Sequence, residues 1–246
     1  MYTGGAAGVA NLGGQGGAEQ AGGSAGAGGT AGVVGNAGSG GAPNPPLARQ
    51  VLMVGLSTGQ PTPGDTIMIE RLEGRNLKVT YVADTKVTAG DADGKDLILI
   101  SSSEESGNLG TKLRDLALPT LCMEDGSFVD MKLASFRDHA LATSALNFVG
   151  TDPLAGGLSG SVTIATAPPD PGDMGWGTVG PKAIVAATIV AQPTQAALFG
   201  YEKGDDMVGM TAPARRVGFA AREAIASHFS EQGLKVFDTT VDWLLK

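Results

Sequence analysis

The run Gln50-Val51-Leu52-Met53-Val54-Gly55-Leu56 carries no charge, and a Gly- and Pro-rich loop follows it at once. A short, unbroken apolar run of this kind is the mark of a strand buried on both faces. Working downstream, Asp65 is expected to cap a helix that carries Ile67, Ile69 and Leu72 and stops at Gly74. Leu77–Val82 reads as a second strand, Asp96–Ile100 as a third, Thr111–Leu116 as a short helix and Thr120–Met123 as a fourth strand. Strands alternating with helices imply right-handed crossovers and a parallel sheet.

Further on, the pattern becomes richer in strands. Ser161–Ile164, Ala183–Val190, Ala196–Tyr201, Met207–Met210 and Arg216–Phe219 are separated by turn residues, with reversals expected at Gln192-Pro193-Thr194 and Glu202-Lys203-Gly204-Asp205. A closing helix places Leu234, Phe237, Val241 and Leu244 on one face, which should dock on the sheet. The expected fold class is therefore α/β: a doubly wound, mainly parallel sheet of flavodoxin-like type with an antiparallel extension.

Upstream of Leu47 the composition changes. Residues 1–46 are glycine, alanine and small polar residues with a single charge, Glu19, and Asn44-Pro45-Pro46 closes the tract. All 17 basic residues lie beyond it, beginning at Arg49. Two segments are expected: a Gly/Ala-rich tract over 1–46 and a globular α/β domain over 47–246. Within the tract, stepping by three from Gly5 meets glycine at 11 of 13 positions, including Gly14, Gly17, Gly23, Gly26, Gly29, Gly32, Gly35, Gly38 and Gly41. Polyproline-II helices have three residues per turn, so this register would leave one edge bare for close backbone approach by another chain. The pattern fits an extended, polyglycine-II-like assembly segment acting between copies over residues 5–41. A flexible tether and a collagen-like triple helix remain the alternatives, although no proline occurs between Gly5 and Gly41.

The remaining composition sets limits. A net charge of -8 argues against nucleic acid, which needs a basic stripe. No apolar run reaches the roughly 20 residues of a membrane-spanning helix. One cysteine, Cys122, and two distant histidines, His139 and His228, make a disulfide framework or a Cys/His metal cage unexpected, and no cofactor is implied. Asp91-Ala92-Asp93-Gly94 is too short of acidic ligands for a calcium loop and reads as a turn. Met1-Tyr2-Thr3 lacks the basic and apolar segments of a secretory signal. The chain is thus expected to be cytoplasmic, or a processed form of an envelope or extracellular protein, which the glycine tract favours.

One group of polar residues stands out. Ser101-Ser102-Ser103-Glu104-Glu105 follows the third strand, and Glu124-Asp125 follows the fourth. Ligands of open α/β sheets bind beyond the carboxyl ends of the strands, so these residues share a rim that could hydrogen-bond a sugar or hold a cation. Helix-capping acids and loop polarity are the plainer alternative. Arg215 and Arg216 are expected to pair with nearby acids.

The succession Val51-Leu52-Met53-Val54-Gly55, Asp96–Ser103, Asp152-Pro153-Leu154-Ala155-Gly156-Gly157-Leu158, Tyr201–Val208 and a final Trp243 helix resembles the class I glutamine-amidotransferase-like superfamily. Within it, the chain is similar to the trehalose-utilisation (ThuA-like) branch, found as domains of secreted bacterial proteins. The resemblance covers about residues 48–246 and implies an amidotransferase-like α/β fold and a carbohydrate-linked role. It also has departures. Asp152 stands where that branch commonly has histidine, and Lys203-Gly204 is a degraded version of its hairpin. An amidotransferase needs a cysteine on a sharp strand-to-helix elbow with a His-Glu pair. Cys122 lies within an apolar strand without flanking glycines, His139 and His228 have no partner at motif spacing, and no triad is recognisable. The expected function is a non-catalytic structural or interaction protein that self-assembles through the glycine tract. The alternative is a carbohydrate-binding or carbohydrate-processing protein that uses the rim.

Overall fold

The computed structural model describes residues 47–139, 143–166, 174–219 and 221–246. The period-three glycines therefore lie outside the described residues. The chain begins with β1 (Arg49–Gly55), α1 (Pro63–Glu73), β2 (Leu77–Ala83), a 3-10 turn at Ala89–Ala92 and β3 (Leu97–Ile100). Next come α2 (Ser106–Leu109), β4 (Thr120–Cys122) and a 3-10 turn at Asp125–Ser127. The middle comprises β5 (Ala134–His139), β6 (Ala145–Phe148), a 3-10 turn at Pro153–Ala155, β7 (Gly160–Thr163), β8 (Gly175–Val179), β9 (Ile184–Ile189) and β10 (Gln192–Tyr201). β11 (Arg216–Phe219), α3 (Glu223–Ala226) and α4 (Glu231–Leu244) complete it.

The strands form one sheet in the order β2-β1-β3-β4-β11-β10-β9-β6-β7, and β8 joins β10 to β5 off that path. The segment β2-β1-β3-β4-β11 is parallel throughout. From β10 outward every pairing is antiparallel. The order reverses between β1 and β3, where crossovers leave toward opposite edges and open a crevice at the carboxyl ends. The α/β class and the antiparallel extension follow the sequence expectation.

The unbroken apolar strands serve two cores at once. Val51, Met53, Leu97, Leu99 and Leu121 face one layer, where Met68 and Leu72 of α1 and Val236, Phe237, Val241 and Trp243 of α4 cover them. Leu52, Val54, Ile98, Ile100 and Cys122 face the other, packed on Leu109, Leu113, Phe128, Phe199 and Tyr201. That second layer is built mostly from turns rather than long helices. Gly233 lets α4 lie against the loop after β7, since a Cβ there would sit 2.2 Å from the Ile164 carbonyl oxygen.

Several local expectations are corrected. Thr62, not Asp65, caps α1: its hydroxyl accepts from the Asp65 N–H at 3.2 Å, and the Asp65 carboxylate accepts from the Thr62 N–H in return. The helix turn after β3 lies at Ser106–Leu109, while residues 111–115 form turns after Gly110, which takes a positive φ of 53°. Met207–Met210 is turn rather than strand, touched only by an isolated bridge between Asp206 and Thr211. The β9–β10 reversal sits at Val190-Ala191, one step before the expected site. Arg215 does pair with an acid, Glu202, at 2.6 Å. Arg216 does not: it is fully buried and donates to the carbonyls of Leu116, at 2.5 Å, and Leu118.

Candidate functional site

The loops that leave β1, β3, β4 and β11 meet at the carboxyl ends of the parallel strands. Asp65 is the hub beneath them. It is fully buried in the first turn of α1 and accepts hydrogen bonds from the hydroxyls of Tyr81 (2.8 Å), Ser103 (2.8 Å) and Ser101. Ser103 Oγ in turn accepts from the Leu56 N–H at 3.2 Å. From the other side, the Glu223 carboxylate accepts from the Gly64 N–H (2.8 Å) and the Thr62 hydroxyl (2.8 Å) at the start of α1. Two of the three rim hydroxyls are thereby engaged inside the protein. The third differs: Ser102 Oγ is buried and has no hydrogen-bond partner.

Above this floor lies an open cleft of about 640 Å³. Ser102, Ser103, Glu104, Glu105 and Asn108 line it from the β3–α2 segment, Glu124 from the end of β4, and Arg137, His139 and Arg222 from β5 and the start of α3. Glu104 Oε2 accepts from the Ser127 hydroxyl at 2.7 Å. Oε1 of the same carboxyl meets no donor at hydrogen-bonding geometry, while the Leu109 backbone, after the Ser127 hydroxyl, acts to hold the carboxyl down. Burial is the main cause that pushes the Glu104 carboxyl up to about 7. Glu105 is exposed: its amide donates to Asp84 Oδ2 at 2.9 Å, and its carboxylate accepts from Asn108 Nδ2 at 2.9 Å.

Glu124 occupies the strand-to-helix turn that follows β4. Its Oε1 accepts from the Gly126 N–H at 2.8 Å, which caps the 3-10 turn. Gly126 leaves room for these side chains, because a Cβ would fall 2.7 Å from both Glu124 Oε1 and Ser106 Oγ and one of them would have to turn away. Burial, with the neighbouring Asp125 charge second, raises the Glu124 carboxyl to about 7. An acid so placed is near half-protonated at neutral pH, where a proton carrier is most effective. The backbone at Glu124 is ordinary extended chain (φ −91°, ψ 108°), without the strain of a nucleophile elbow.

Asp125 lies directly beneath, with no exposed surface. Its Oδ2 is 3.4 Å from Arg137 Nη1 and 3.3 Å from His139 Nδ1, and its Oδ1 is 3.4 Å from Arg222 Nη1. Burial pushes this carboxyl upward, opposed first by His139 and then by Arg222 and Arg137. The backbone of Gly175 in β8 presses on the same side chain: a Cβ there would meet the Asp125 Cβ at 2.6 Å.

Of the seven rim residues expected from sequence, the structure brings Ser102, Ser103, Glu104, Glu105 and Glu124 into the wall of one cleft. It places Ser101 and Asp125 below it. Arg137, His139 and Arg222 escaped the sequence reading, which found no partner for His139 at motif spacing. Arg137 and His139 are two apart on a strand and so share a face, but β5 has no alternating apolar pattern to announce it. Cys122 is wholly buried inside β4, donates to the Glu124 carbonyl at 3.3 Å, and has its thiol pushed well up by burial, so it is inert as a nucleophile. Among the described residues, no three His, Cys, Asp or Glu side chains are grouped to hold a metal ion.

Similar folds occur among solved structures. A Thermoplasma acidophilum protein, provisionally assigned as one of the subunits of a GMP synthase, matches 80% of this chain and 94% of its own, with a TM-score of 0.50 and 15% identity. A Thermotoga maritima glutamine amidotransferase matches 81% and 99% at 9% identity, with a TM-score of 0.46. The fold is glutamine amidotransferase-like. No protein-family profile matches the chain, and no curated protein does. No helix of the described residues is long and apolar enough to cross a membrane.

Proposed function

We propose that the rim cleft binds carbohydrate and that Glu124 exchanges a proton with a bound hydroxyl. One observation carries this reading: Ser102, Glu104 and Glu124 converge on one cleft at the crossover point of the sheet, and two of their buried polar atoms are unsatisfied. Buried polar groups are nearly always paired, and those that are not call for an explanation such as a ligand. Sugar hydroxyls donate and accept, so they fit a wall that offers a hydroxyl and two part-protonated carboxyls. Titration calorimetry of the full chain with mono- and disaccharides tests this. Saturable binding in the millimolar range or tighter is expected, with an affinity that changes across neutral pH in the wild type and changes less in Glu124→Gln, where Glu104 still titrates. Absence of binding across the sugars would refute the reading.

The period-three glycines favour a second, compatible role for residues 1–46: self-association, in an extracellular or envelope setting. Light scattering on the full chain decides it. Valine at Gly23, Gly26 and Gly29 should reduce the assembly to monomer, and an unchanged mass would refute the role.

A further inference from the structure

Resting on the carbohydrate reading of the cleft, we propose that its ligand is an anionic sugar, whose carboxylate or phosphate is taken by Arg137 and Arg222 while its ring hydroxyls meet Ser102, Glu104 and Glu124. The strand order sets up the polarity. β3 delivers Ser102 and Glu104 to one side, β11 leads into Arg222 on the other, and β4 stands between them with Glu124 at its end. Arg137 of β5 reaches the Arg222 side through the shared Asp125.

Two permanent cations thus share one carboxylate, and that carboxylate is already committed. Asp125 is fully buried, cannot reach into the cleft, and spends Oδ2 on Arg137 and His139 and Oδ1 on Arg222. Both arginine contacts are long, at 3.4 Å, and the side chains are 38% and 36% exposed. A guanidinium has five N–H donors in a planar fork, so most of its donors remain available to the cleft. Glu124 feels Arg222 but already accepts from Gly126 and is mostly buried. A neutral ligand would leave these donors to water, whereas an oxyanion can take paired, charge-assisted bonds from them.

The opposite wall selects for hydroxyls. Ser102 is 8% exposed and Glu104 4%, and Ser102 Oγ and Glu104 Oε1 are without hydrogen-bond partners. Both atoms are closed off from the cleft, so a sugar hydroxyl satisfies either one only once its side chain turns toward the ligand. An oxyanion placed on this side would face carboxyls, so the charge distribution fixes which end of the ligand goes where.

The test is titration calorimetry of the full chain with D-glucose, D-glucuronate and glucose 6-phosphate, repeated with Arg137→Gln and Arg222→Gln and, for the wild type, at raised salt. The anionic sugars should bind about tenfold to a hundredfold tighter than glucose, the range that charged hydrogen bonds supply. Each substitution, and raised salt, should collapse that ratio toward one. Preference for glucuronate marks a planar carboxylate as the natural group and preference for glucose 6-phosphate a phosphate; either supports the proposal. Equal binding of glucose and the anions overturns it and leaves the carbohydrate reading intact. So does an anion preference that survives both substitutions. Should none of the three bind, both readings fall. The salt series needs no variant, so the outcome does not depend on the substituted proteins folding.

Discussion

Replacing Glu124 with glutamine should stabilise the protein at neutral and alkaline pH and leave it unchanged in mild acid. A glutamate carboxyl ordinarily titrates at 4.5, and this one is raised to about 7. Folding must therefore retain a proton that the unfolded chain has already released. Stability falls as pH climbs from the ordinary glutamate value toward 7, then levels off. At 1.36 kcal/mol per tenfold change, that displacement amounts to about 3 kcal/mol at most, and relaxation around the charged form brings the expected gain to about 1–3 kcal/mol. Glutamine keeps the shape and an oxygen for the Gly126 N–H, and needs no proton. Urea unfolding, followed by the fluorescence of buried Trp243, should show the two proteins matching at about pH 4 and the variant ahead at about pH 8. A variant less stable at both pH values, or offset equally at both, would refute the reasoning. Glu104, also raised to about 7, should leave a residual slope of the same sign in the variant.

Three other substitutions probe separate parts of the structure. Cys122→Ser should cost about 1–3 kcal/mol in unfolding experiments by burying a hydroxyl and leave sugar titrations unchanged; a loss of binding at wild-type stability would make the cysteine functional. Gly175→Ala should destabilise by about 1–3 kcal/mol through overpacking against Asp125, and it should weaken any binding that depends on Arg137 and Arg222, as calorimetry can measure. Arg216→Met leaves the carbonyls of Leu116 and Leu118 without their donor and should cost about 3 kcal/mol of unfolding free energy; a variant as stable as wild type would show that the buried guanidinium is dispensable.

The parallel core was legible because its strands are buried on both faces and read as unbroken apolar runs, as in Val51–Val54 and Leu97–Ile100. The acids beyond them were legible by position alone, since strand ends mark the binding edge. What sequence withheld was partner choice. Ser101 and Ser103 look as available as Ser102, and only the arrival of Asp65 from α1 shows that they are engaged. The basic side was hidden for a different reason. β5 is an edge strand with a half-exposed Phe136, and β8 reads as loop because Gly175 and Gly177 interrupt it, although those glycines are there to admit Asp125 and Ala134. Arg222 and Asp125, 97 residues apart, meet only through the sheet order.

The network around Asp65 also governs how recognition is shared between rigidity and motion. Tyr81, Ser101, Ser103, Thr62 and Glu223 lash the loops after β1 and β3 to the start of α1, so the acidic wall has few rotamers left to lose when a ligand arrives. Arg137 and Arg222, long-stemmed and loosely held, have many. The entropy of binding should accordingly be concentrated in two guanidinium groups, and NMR relaxation of their side-chain nitrogens would report ligand capture while Ser101 and Ser103 stay silent.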